Sequence, residues 1–162
     1  MNVRPATLAD TQTIADFNTA MALETESVRL DPATILAGVQ SALADANKAM
    51  YFAAVIDGAV VGCCMITHEW SDWRNGDMWW FQSVYVAPDY RRCGAFRAMY
   101  KYVESAAREA GAVGLRLYVD RDNTRAKRTY ESLGMHLTHY DVMEATLGRT
   151  PMTKPEIRIK SE

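Results

Sequence analysis

The spacing of apolar and polar positions changes period several times along the chain, and each change marks an element. An apolar start over residues 1–4 reads as a short strand that ends at Pro5. Thr7 with Asp10 three residues on reads as an N-cap with an acidic partner. A helix follows, with Leu8, Ile14, Phe17 and Met21 near one face and Ala15, Asn18 and Ala22 beside them. Residues 24–30 form an acidic connection to a second helix, capped by Asp31, opened by Pro32, and apolar at Ile35, Leu36, Val39, Ala42 and Leu43.

From Met50 the period is that of strands. Residues 51–56 and 59–67 are apolar, β-branched runs around Asp57-Gly58, a strong signal for a tight hairpin. Asn75-Gly76 marks a second, less regular turn, between a run ending near Glu69 and the run 78–86. Period 3.6 returns with Phe96, Met99, Tyr100, Val103, Ala107 and Ala110 on one face and Gly111 as the stop. A strand over 115–119 would lie parallel to the one before it, because a helix joins the two. Asp122-Asn123-Thr124 opens a last helix with Ala126, Tyr130 and Leu133 on one face and Gly134 at its end, and residues 137–143 read as a final strand. The order β-α-α-β-β-β-α-β-α-β predicts an α/β (α+β) fold with a mixed, mostly antiparallel central sheet and helices on both faces. Residues 1–146 read as one domain and 147–162 as an extended or poorly ordered tail.

Composition narrows the function classes. With 162 residues and 49% hydrophobic content the chain can bury one sizeable core. A net charge of −2 with interspersed signs argues against nucleic acid as partner. No apolar run approaches the roughly 18 residues of a membrane span, and no signal-peptide pattern opens the chain, so a cytoplasmic location and no membrane partner are expected. Cys63, Cys64 and Cys93 lack metal-ligand spacing, so no metal is expected and the thiols read as reduced and inert.

The stretch that carries chemistry is 84–97. An apolar strand holding Val84, Tyr85 and Val86 meets Pro88, then the basic turn Arg91-Arg92-Cys93-Gly94, then a helix that starts with Ala95, Phe96 and Arg97. Unpaired first-turn N–H groups, the positive end of the helix dipole and three arginines favour a phosphate, with Gly94 allowing close approach. The same stretch is also readable as an ordinary strand-to-helix connection with solvated arginines. Trp70, Trp73, Trp79 and Trp80 cluster in the second hairpin, as core packing or as the wall of an aromatic pocket.

Val86-Ala87-Pro88 followed by Arg91-x-x-Gly94, together with Asn123-x-x-Ala126-x-x-x-Tyr130-x-x-x-Gly134-Met135, resembles the signatures of the GNAT superfamily of N-acetyltransferases. The small residue that closes the family's loop is replaced by Phe96, and Met135 stands where the family has Phe. The resemblance implies acetyl-CoA as co-substrate. Backbone groups of Val84, Tyr85 and Val86 would pair with the pantetheine arm, residues Arg91, Arg92, Cys93, Gly94, Ala95, Phe96 and Arg97 would hold the pyrophosphate, Asn123 would lie near the thioester, and Tyr130 would protonate the departing thiolate. Glu69 is the candidate general base, with Glu24, Glu26 and Asp72 as rivals. Glu24 and Glu26, with Trp70, suit a cationic amine, either a small primary amine or an amino-acid-like molecule. A protein N-terminus or lysine as acceptor, and a non-catalytic acyl-CoA sensor, are the alternatives, and a homodimer is compatible with the open end of the sheet.

Overall fold

The computed structural model describes residues 1–145 and 147. Five strands lie in the order β1 (Asn2–Pro5), β2 (Met50–Ile56), β3 (Ala59–Ser71), β4 (Gly76–Val86) and β5 (Gly114–Leu117). All neighbours are antiparallel except β4 and β5. The expected meander and the parallel crossover are both present. Asp57 and Gly58, at φ 49° and 81°, close the first hairpin with the two left-handed residues such a turn needs.

Helices cover both faces, as the sequence predicts. Strand alternation divides the core between them, and two adjacent cysteines mark the division. Cys63 packs with Tyr51 against α1 (Thr11–Glu26) and α2 (Pro32–Ala44), through Ile14, Ala15, Val39 and Ala42. Cys64 points the other way and, with Phe52, Ile66 and Phe81, meets Met99, Tyr100, Val103 and Ala107 of α3 (Ala95–Glu109). Full burial of a side chain such as Ile66 or Phe81 contributes about 1.5–3 kcal/mol, so this second, larger cluster anchors the sheet to α3. Burial of the two thiols between these layers pushes both their pKa values well up.

Three boundaries differ from the sequence expectation. The acidic connection begins later: Glu24 and Glu26 belong to the last turn of α1, which ends at Ser27 in the left-handed region (φ 53°). Ala22, Leu23 and Glu24 favour helix, and buried Val28 closes it by donating its N–H to the Ala22 carbonyl at 3.1 Å. β5 stops at Leu117, so Tyr118 and Val119 lie beyond the strand. Residues 137–143 form no strand, and Leu137, Tyr140, Val142 and Met143 are exposed. Alternation alone does not make a strand without a paired neighbour, and this segment runs along a cleft instead of along β5. The element order therefore ends with α4 (Thr124–Glu131). Of the expected tail only Leu147 falls among the described residues.

At the first helix, Asp10 accepts the Thr7 N–H at 2.7 Å and ion-pairs with Arg4 at 2.8 Å. That guanidinium, more than any other neighbour, lowers the buried carboxyl to about 2.

Candidate active site

The site begins where β5 leaves β4. The two pair from Met78↔Gly114 to Phe81↔Leu117 and no further. On the other side of β4, the β3 register jumps from Cys64↔Val84 to Ile66↔Phe81, so Gln82 and Ser83 stand against Met65 alone. A bulge of this kind bends the strand, and here it sits at the divergence. Ala87 donates its N–H to the Val61 carbonyl at 2.9 Å, so Ala87 and Tyr85 turn their peptide groups toward β3. By alternation Val84 and Val86 turn theirs toward the gap that β5 has left. Of these groups the Val86 carbonyl is taken by Arg91 Nε at 2.9 Å. Val84 and the Val86 N–H present a short open edge. Tyr85, expected to act through its backbone, has its peptide in the β3 ladder, and its hydroxyl donates to Glu24 at 3.0 Å.

That edge leads into the loop before α3. Arg92 and Gly94 both have positive φ, 66° and 88°, and α3 starts at Ala95. The first intrahelical bond runs from the Ala98 N–H to the Gly94 carbonyl, which leaves the N–H groups of Ala95, Phe96 and Arg97 without helical partners. Arg92 and Cys93 are exposed. Arg97 donates to Ser132 Oγ at 3.1 Å. The Phe96 ring turns inward, 5.4 Å from the Tyr130 ring and 6.5 Å from that of Phe81, so its bulk lies in the core and not over the loop.

Tyr130 on α4 therefore rests edge-on against Phe96, and burial raises the pKa of its hydroxyl, which keeps the proton on it. Asn123 caps α4: its Oδ1 accepts the Ala126 N–H at 3.0 Å, so Nδ2 is the atom it has left for a ligand.

The acidic candidates divide between the two ends of the sheet. Glu24 ion-pairs with Arg91 at 2.7 Å, beside the loop, and Arg91 chiefly lowers the pKa of its carboxyl. The Arg91 guanidinium also lies 5.4 Å from the Tyr85 ring centroid. Glu69, six residues along β3 from the Cys63↔Tyr85 pair, is about 20 Å away along the strand. One small amine cannot touch both. Glu69 ion-pairs with Arg116 of β5 at 2.8 Å. Trp70, next in sequence, points to the opposite face and is 61% exposed. Glu26 is exposed at the end of α1. The four tryptophans separate likewise: Trp79 is core and stacks on His68, Trp70 and Trp73 are exposed, and Trp80 packs 4.6 Å from the Tyr118 ring. The Trp80 indole N–H is covered and has no hydrogen-bond partner among the described residues.

Arg116 and Tyr118 are the residues that the sequence reading passed over. Their signal was the alternation in Leu115-Arg116-Leu117-Tyr118, where the leucines enter the α3-side core and the other two face the opposite way. A cleft of about 1080 Å³ wraps this strand, and its lining includes Trp80, Arg116, Tyr118 and Tyr130.

A family model described as the acetyltransferase (GNAT) family matches residues 14–135. The crystal structure of a possible acetyltransferase from Clostridium difficile 630 is 41% identical, covers 90% of this chain and 97% of its own, and superposes with a TM-score of 0.84. A probable acetyltransferase is 21% identical, with coverage of 91% and 99% and a TM-score of 0.81. A ribosomal-protein-alanine N-acetyltransferase from Brucella melitensis biovar Abortus 2308 is 18% identical, with coverage of 91% and 99% and a TM-score of 0.73. At such identities these last two share the fold alone. Comparison with curated proteins gives no match.

Proposed function

The chain belongs to the GNAT family of acetyltransferases, and from that premise we propose that it transfers the acetyl group of acetyl-CoA to a small primary amine by direct attack. The observation that carries this reading is the divergence of β4 from β5, which leaves the peptide edge of Val84 and Val86 open and continuous with the free N–H groups at the start of α3. The residues present fit the co-substrate. An extended amide-bearing arm adds to that edge as a strand would, and the pyrophosphate takes the amides from Arg92 to Arg97 and the dipole of a 15-residue helix.

Acetyl-CoA supplies the activated acetyl group; the protein orients it and manages protons. Tyr130, held by Phe96 and kept protonated by burial, donates its hydroxyl proton to the leaving sulfur. Asn123 Nδ2 steadies the same end of the cofactor. Glu69, on the face opposite α3, accepts a proton from the incoming amine. Placing the two reactants in one cleft supplies much of the acceleration.

Two measurements test this. Acetyl-CoA titrated into the protein should bind in the micromolar range. Replacing Tyr130 with Phe should lower kcat about 100-fold or more while changing the acetyl-CoA Kd less than twofold. Tight binding with turnover indifferent to Tyr130 would instead mark a sensor. Absence of binding would end the acetyltransferase reading.

A further inference from the structure

Resting on the acetyltransferase reading, we propose that the acceptor is a free amino acid, a zwitterion whose carboxylate is bound by Arg116 and whose amine is received by Glu69. The placement follows from the sheet. The anion loop and α3 lie on one side of the β4–β5 gap, so the acetyl end passes through the gap toward the other side. On that face Gln82, whose amide donates to Thr67 Oγ1 at 2.8 Å, and Tyr118 lie one step past the last pair, and Trp80, paired in register with Arg116, lies one pair inside it. An acceptor approaching the gap along that face passes over this patch.

The chemistry of the patch is that of a zwitterion site. Arg116 Nη1 touches Glu69 Oε1 at 2.8 Å, a single contact that leaves the Nε and Nη2 donors without a partner among the described residues. The guanidinium lies over the Trp80 ring, 5.6 Å from its centroid. Glu69 and Arg116 keep 46% and 31% of their side-chain surface exposed. A pair this open contributes little to stability, so sharing it with a ligand costs little. The ammonium and carboxylate of an α-amino acid are separated by one carbon, which matches two opposite charges already in contact. A peptide N-terminus has no carboxylate beside its amine, so the patch favours the free amino acid over a protein acceptor.

The step balances. The ammonium yields one proton to Glu69 and thence to water. The nitrogen then bonds the acetyl carbon as the carbon–sulfur bond breaks, Tyr130 gives its proton to sulfur, and the second nitrogen proton goes to water as Tyr130 is reprotonated from water. One proton is released per turnover.

The test is a thiol-release assay with the full chain, acetyl-CoA, and each of the twenty L-amino acids beside its decarboxylated amine, phenylalanine with phenethylamine for example. At least one amino acid should exceed its amine in kcat/KM about 10–100-fold, as expected for charge-assisted hydrogen bonds to the carboxylate. Arg116→Met should bring that ratio near one, mainly through KM, and Arg116→Lys should restore part of it; acetyl-CoA titration of each variant reports an intact fold. Amines turned over as well as their amino acids, a ratio indifferent to Arg116→Met, or acetyl-CoA binding without turnover of any amino acid would each overturn the inference while leaving the cofactor reading standing. Absence of acetyl-CoA binding would remove both.

Discussion

The two halves of the proposed site are built from different materials. On the cofactor side, from Val84 to Arg97, the available groups are mostly backbone: the open edge of β4, two residues of positive φ and the first amides of α3. On the proposed acceptor side they are side chains, with Glu69, Trp80 and Arg116 drawn from three strands and Tyr118 from the segment just after β5. A backbone site depends on chain path, and its requirements concentrate in one short stretch. A side-chain site depends on which residues meet across the sheet, and each member is replaceable without disturbing the path.

That difference explains what was legible in the sequence. The loop was readable because Pro88 and Gly94 constrain it locally, and α4 because Asn123 and Gly134 bracket it. Glu69 was visible as a carboxylate at a strand end, but its partner Arg116 lies 47 residues away, and Arg91 lies 67 from Glu24. No local pattern encodes such meetings. The final strand was misread for the same reason, since residues 137–143 alternate correctly and lack only a neighbour. Phe96 departs from the family's loop pattern, but its place on the apolar face of the helix already points its ring inward, where it meets Phe81 and Tyr130.

The sharpest way to break the comparison is at Gly94. A Cβ there would meet nothing within 4 Å, so Gly94→Ala acts within the protein through φ alone and costs about 1–2 kcal/mol of local strain. Acetyl-CoA affinity should fall about tenfold or more by calorimetry, with the amine KM unaltered; an equal loss in both would show that the halves are not separable. Phe96 joins them. Phe96→Ala should lower kcat about tenfold by loosening Tyr130 and cost about 1–3 kcal/mol in denaturant melts, with a smaller change in acetyl-CoA Kd.

Glu24 sharpens the boundary. Expected from sequence to meet the amine, it sits against Arg91, so Glu24→Gln should tighten acetyl-CoA binding about two- to fivefold at low salt and leave the amine KM alone. A raised amine KM would return Glu24 to the acceptor. Asp10→Asn lies outside both halves and should leave kinetics unchanged while removing about 2 kcal/mol of stability near neutral pH. Because the folded pKa is depressed, this contribution is complete above about pH 4 and disappears as pH falls through 2. Melting curves of wild type and variant should therefore converge over that range.

The three cysteines also give the experimenter a handle. Cys63 and Cys64 are sealed on opposite faces of the sheet, whereas Cys93 is exposed in the loop before α3, one residue before Gly94. A maleimide dye would therefore label the native protein at a single address, and its emission would register occupancy of the loop. The fold thus carries a ready attachment point for a fluorescent reporter, with no cysteine to be engineered in or out.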